Sequence, residues 1–111
     1  MNEMKESEEH NFGLQRIDAI LRGWQLDNHD LVVAALPEQL THKQVQRARM
    51  GRRLTLSMMQ KIARILNEAV LSRLDAEDAE GFQPYMHRDL FSYAKNYDEQ
   101  WEDPNAKLYP R

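Results

Sequence analysis

From Met58 to Val70 the apolar residues Met58, Ile62, Ile65, Leu66, Ala69 and Val70 recur at intervals of three and four, with no Pro or Gly between them. That spacing builds one apolar stripe along an α-helix, whereas a strand would need alternation. Thr55 or Ser57 can cap the helix, and the pattern carries it to about Leu74. A long one-sided helix must be covered by others. The 111 residues leave room for one domain with a usable core. The fold class expected is all-α, with no internal repeat.

The neighbouring segments supply the covering helices. Asn11 can cap a helix starting at Phe12, in which Ile17, Ile20, Leu21 and Trp24 form the inner face and Gly23 weakens the end. Asp27-Asn28 caps a short helix over His29 to Leu36 that is apolar on most faces. Val32 and Val33 would tolerate a strand, but no alternation and no partner strand support one. Pro37 ends that helix, because its ring clashes with continued helical backbone. Thr41 is a good N-cap for a helix over His42 to Met50, with Val45 and Ala48 facing inward. Gly51 fits the left-handed position that stops it, which other residues occupy at a cost of ~1 kcal/mol.

Outside residues 11–74 the signals weaken. Residues 1–10 read as a disordered acidic N-terminus and 75–83 as an acidic linker. A last helix is expected over 84–97, with Pro84 in its first turn and Met86, Leu90, Tyr93, Ala94 and Tyr97 as its stripe. Residues 98–111 hold Pro104 and Pro110 without periodicity and read as an irregular tail.

Charge is distributed unevenly. The net charge of −3 by itself argues against nucleic acid, yet residues 1–40 carry −5, residues 41–73 carry +7 and residues 74–111 carry −5. The middle segment holds eight Lys and Arg against one acid, Glu68. Such asymmetry points to a surface for a polyanion. The basic residues fall on the Thr41-capped helix and on the segment C-terminal to it. Packing of Val45 and Ala48 turns Thr41, His42, Lys43, Gln44 and Arg47 outward. Gln and Arg can form paired hydrogen bonds with adenine and guanine edges, and a Thr hydroxyl with helix N–H groups suits phosphate.

Residues 30–70, from Asp30-Leu31-Val32-Val33 through Thr41-His42-Lys43-Gln44-Val45-Gln46-Arg47 and Gly51-Arg52-Arg53-Leu54-Thr55, resemble the lambda-repressor-like helix-turn-helix superfamily, in its lac-repressor and Cro/antitoxin branches. The resemblance implies a four- to five-helix DNA reader that works in the major groove, usually as a dimer. Thr41, His42, Lys43, Gln44 and Arg47 fall where that family contacts DNA, and Arg52, Arg53 and Thr55 where it holds the backbone. Arg49, at the helix end, and Lys61, as a phosphate contact, are expected to join them on charge. The turn departs from the pattern: Gln39 replaces the usual Gly, and Pro37 and Glu38 end the first helix, implying a rebuilt or longer turn. The function expected is a small sequence-specific duplex DNA-binding protein, a transcriptional regulator. The alternative is a protein-interaction or antitoxin-like module that keeps the fold without binding DNA, its partner meeting the aromatic-rich C-terminal third.

Other chemistry finds little footing. Cysteine is absent, which excludes disulfides, thiolate nucleophiles and Cys-type zinc sites. His10, His29, His42 and His87 form no i, i+4 pair, so no metal is expected. His87 with Asp89 is a weak catalytic pair, and Asp75, Glu77, Asp78 and Glu80 do not follow a calcium-loop pattern. No phosphate loop or nucleophile elbow occurs, so neither an enzyme nor a cofactor is expected. The longest apolar run, Leu31 to Leu36, is six residues, against the ~20 needed to span a bilayer. No signal segment is visible, so the expected compartment is the cytoplasm.

Overall fold

The computed structural model describes residues 11–111. The acidic segment 1–10 lies outside the described residues. Among the described residues six helices occur in order: α1 Arg16–Trp24, α2 Asn28–Ala35, α3 His42–Met50, α4 Leu56–Leu71, α5 Ala76–Gly81 and α6 His87–Leu90. A 3₁₀ turn over Ala106–Leu108 comes last. Among the described residues the chain forms no strand, only an isolated antiparallel bridge between Asn11 and Arg52. The fold class is therefore all-α, and no helix among these residues is long and apolar enough to cross a membrane.

The core joins α4 to α2 and α6, α1 to α3 and α6, and α2 to α3. Ile62, Ile65, Leu66 and Val70 from α4 share one buried cluster with Ile17 and Leu21 from α1, Leu31 from α2, Val45 from α3 and Leu90 from α6, all fully buried. Burial of each such aliphatic side chain contributes roughly 1.5–3 kcal/mol. The caps agree with the residues that announce them. Asp27 and Asp30 close a capping box on α2, and Thr41 and Gln44 close one on α3. Thr55, rather than Ser57, caps α4 by accepting from the Met58 N–H (3.1 Å).

Four expectations require correction. The first helix starts at Arg16, not Phe12. Residues 11–15 instead run along the end of α3: the Phe12 N–H donates to the Gly51 carbonyl (2.8 Å) and the Gln15 N–H to the Arg49 carbonyl (2.9 Å). These contacts satisfy carbonyls that α3 leaves unpaired at its C-terminus. Second, α4 ends at Leu71 rather than Leu74. Third, the acidic 75–83 segment is not a plain linker. Asp75 caps α5 by accepting from the Asp78 N–H (2.8 Å).

The fourth correction concerns 84–97, where only His87–Leu90 is helical. Side chains from other elements take the backbone groups a longer helix would need. Asn67 of α4 pairs with both the Tyr85 N–H (2.8 Å) and its carbonyl (3.0 Å). The Ser92 N–H donates to Gln15 Oε1 (2.6 Å), and Arg16 donates to the Asp89 and Asp98 carbonyls (3.1 and 2.9 Å). Asn96 adopts a left-handed conformation (φ 67°). Of the expected stripe, Leu90 and Ala94 are buried and Tyr93 and Tyr97 half-buried, but Met86 is exposed, and Phe91, outside the stripe, is buried.

The tail 98–111 is irregular but well packed. Asp103 accepts hydrogen bonds from the hydroxyls of Tyr85 (2.6 Å) and Tyr109, and Trp24 Nε1 donates to the Tyr85 hydroxyl (2.9 Å). Burial, and then the Asp103 carboxylate, push the pKa of both tyrosines up. Buried Asn105 pairs with the backbone N–H and carbonyl of Gln83, both at 2.8 Å.

Gly51 is the tightest of the glycine positions. Its φ is +93°, and a Cβ there would lie 1.9 Å from the Gly13 carbonyl oxygen. Gly51→Ala therefore meets left-handed strain and a backbone clash together. Chemical denaturation should show a loss of about 2 kcal/mol or more. An unchanged midpoint would mean the N-terminal segment does not lie across the end of α3.

Candidate nucleic-acid interface

Val45 and Ala48, both fully buried, fix which side of α3 meets the core. The opposite side carries Lys43, Gln46, Arg47 and Met50, all exposed. Their spacing of three, one and three is the i, i+3, i+4, i+7 stripe of a single helix face. Arg52 and Arg53 come directly after it and are also exposed. Within residues 11–111, Lys43, Arg47, Arg52 and Arg53 form no ion pair.

The other basic residues of the +7 segment are committed elsewhere. Arg49 Nε donates to Asp18 Oδ1 (2.7 Å) and Arg49 Nη1 to Asn28 Oδ1 (2.8 Å). Its side chain is only 14% exposed, so it joins α3 to α1 and α2 rather than facing outward with Lys43 and Arg47. Arg64 forms a bidentate pair with Glu38 (2.9 and 3.0 Å), and Lys61 donates to the Gln39 carbonyl. Arg73 pairs with Asp30 (3.0 Å). Lys61 and Arg64 thus tie the turn after α2 to α4. Glu38, an acid beside the basic stripe, is matched by Arg64, whose hydrogen bonds hold its pKa down.

Thr41 and Gln44 are occupied with each other. The Gln44 N–H donates to Thr41 Oγ1 and the Thr41 N–H to Gln44 Oε1, both at 3.0 Å. Gln44 is half-buried. Thr55 is likewise a cap. His42 meets His29 across the N-terminal ends of α3 and α2, with Nε2 and Nδ1 3.1 Å apart and ring planes within 11°. A search limited to i, i+4 spacing cannot find this pair, because its members are thirteen residues apart. Among the described residues no group of three or more potential metal ligands occurs.

Two residues of the site were not singled out by sequence reasoning. Gln46 completes the outer stripe, and its Oε1 accepts from Asn28 Nδ2 (3.0 Å), which steadies it. Its spacing from Lys43 and Met50 is the signal that identifies it. Tyr93 fixes the basic loop from below. Its hydroxyl accepts from the Leu54 N–H (3.0 Å) and donates to the Arg52 carbonyl (3.3 Å). Burial pushes its pKa up, which keeps the donated proton in place. Phe12 stacks on the same ring at 4.6 Å. No local pattern connects Tyr93 to a loop some forty residues earlier.

No known protein family, no curated protein and no solved structure matches the chain. The functional reading therefore rests on the surface chemistry.

The Asp18–Arg49 pair sets the position of α3 and has a pH signature. Burial raises the Asp18 pKa, but hydrogen bonds from Arg49 and Arg22 outweigh it, and the net effect is a lowered value. The stabilisation from this carboxylate is then fully present above its ordinary value of 3.8 and disappears as pH falls below it. Arg49→Met should cost about 1.5–3 kcal/mol near neutral pH. The deficit should narrow in urea titrations repeated at progressively lower pH below 3.8, as Asp18 takes up a proton. A deficit that stays constant across that range would assign the cost to packing alone.

Proposed function

We propose that the chain is a small sequence-specific duplex DNA-binding protein, a transcriptional regulator in which α2 and α3 form a lambda-repressor-like helix-turn-helix. One observation carries this reading: an outward helix face of Lys43, Gln46 and Arg47 that runs into Arg52 and Arg53, its four cations free of carboxylates within residues 11–111. In this reading α3 enters the major groove. Arg47 pairs with a guanine edge, Gln46 with an adenine edge, and Lys43 lies at the groove wall. Arg52 and Arg53 take phosphates, on a loop that Tyr93 and Gly51 hold in place.

The buried networks support a rigid reading head. Arg49 and the Thr41–Gln44 box spend their polar groups on placing α3, so they position the face and do not contact the bases. The length of the turn, from Leu36 to Thr41, fits the same reading because Lys61 and Arg64 of α4 brace it.

Neutralising four phosphates should give a log–log salt slope of about −3.5 for duplex binding. Binding that stays flat between low and moderate salt would refute a phosphate-led interface. Arg47→Ala should cost ~1–3 kcal/mol on the preferred sequence and relax discrimination at one base pair. Arg53→Ala should weaken all duplexes alike and reduce the slope by about one. Selection of bound duplexes from a random pool, with each variant, distinguishes the two roles. Equal and sequence-blind losses from both would leave no base reader on α3.

A further inference from the structure

Beside Arg53 lies a cleft of about 460 Å³, walled by Leu54, Thr55, Leu56, Met59 and Tyr93. Its lining is polar and apolar in similar measure, Leu56 is 55% exposed, and one cation stands on the rim. The path of the backbone points to what covers it. Asn11 is bridged antiparallel to Arg52, and the Phe12 N–H donates to the Gly51 carbonyl. The described chain thus begins at Asn11, paired with Arg52 and therefore next to the Arg53 that lines the cleft.

The chemistry of the segment preceding Asn11 matches this cleft. Residues 1–10 carry Glu3, Glu6, Glu8 and Glu9 against a single Lys5, with Met1 and Met4 as their large apolar side chains. Arg52 and Arg53 are exposed and have no carboxylate partner within residues 11–111. Methionine is suited to an irregular apolar cleft beside an aromatic ring. Ten residues reach at most ~33–36 Å when fully extended. The short tether also keeps the local concentration of the segment high.

We propose that the acidic segment 1–10 docks along this cleft, its glutamates on Arg52 and Arg53 and a methionine against Leu54, Met59 and Tyr93. Docked there, it occupies the two cations that a phosphate backbone would use and competes with a polyanion for them. The docking rests on the structure alone; its effect on duplex binding rests on the function proposed above.

The absence of cysteine allows a clean test in the full chain. An Asn2→Cys variant carries one nitroxide label, and broadening of backbone amide signals is read with and without the further changes E6Q, E8Q and E9Q. Docking predicts strong broadening over Arg53 to Met59 at low salt, relieved by the three substitutions and by 1 M salt (on the order of one-third the screening length at 0.1 M). Broadening that is the same with and without the glutamates, or that spares the cleft, overturns the proposal. In duplex titrations the neutralised chain should bind several-fold tighter at low salt, and equal affinities would overturn the competition. If neither chain binds duplex while the label still reports the cleft, the DNA reading fails and the docking stands.

Discussion

The Asp18–Arg49–Asn28 network is the contact on which the presentation of α3 depends. Val45 and Ala48 are small and would permit α3 to rotate or slide on the core. Arg49, at the far end of the helix, removes that freedom by reaching Asp18 on α1 and Asn28 on α2 at once. Its planar guanidinium has donors fixed in a fork, so two acceptors on two helices define its position. Asp18 is held in turn by Arg22 (2.9 Å). With that end fixed and the Thr41 box closing the other, the stripe of Lys43, Gln46 and Arg47 has one direction to face.

The same network explains why the charge of the middle segment overstates its basic surface. Eight Lys and Arg stand in residues 41–73. Arg49, Arg64 and Arg73 answer acids that lie in residues 1–40, namely Asp18, Glu38 and Asp30. Charges that look segregated along the chain are thus partly mixed in space. Lys61 is spent on the Gln39 carbonyl, and the other four, Lys43, Arg47, Arg52 and Arg53, gather on one helix face and the loop after it. A count by segment finds the region but cannot sort its members, because the acids that pair with them lie 26 to 43 residues away.

Local chemistry made much of the fold legible. Apolar spacing gave α1 and α4, Asp27 and Thr41 gave the starts of α2 and α3, and Gly51 gave the stop of α3. Those features act within one or two helical turns, so the sequence near them contains their cause. The C-terminal third was illegible for the opposite reason. Residues 84–97 have helical spacing, yet Asn67, Gln15 and Arg16 capture their backbone groups from α4, the N-terminal segment and α1. Arg16 also lies over the rings of Tyr97 and Trp101 at 4.4 and 5.0 Å. Propensity there loses to tertiary hydrogen bonds that no window of the sequence displays. The candidate face divided in the same way: Lys43 and Arg47 follow from periodicity, whereas the withdrawal of Gln44 and Arg49 and the role of Tyr93 do not.

Tyr93 links the illegible third to the basic corner. The hydroxyl bridges Arg52 and Leu54, and the ring takes Phe12 on its face, so the loop between α3 and α4 is held from below and from the side. Gly51 permits the close approach of Gly13 that completes the corner. A loop fixed by three separate elements has little backbone freedom left to lose when Arg52 and Arg53 meet an anion, which lowers the ordering cost of binding. The C-terminal third, acidic in sum, therefore contributes to the basic surface by shaping it. The acidic helix α5 begins beyond the C-terminus of α4, while Arg52 and Arg53 precede its N-terminus. Sixteen residues of α4 span ~24 Å along the helix axis. That exceeds the screening length of about 8–10 Å at ordinary ionic strength. The acids of α5 are then too distant to quench the corner.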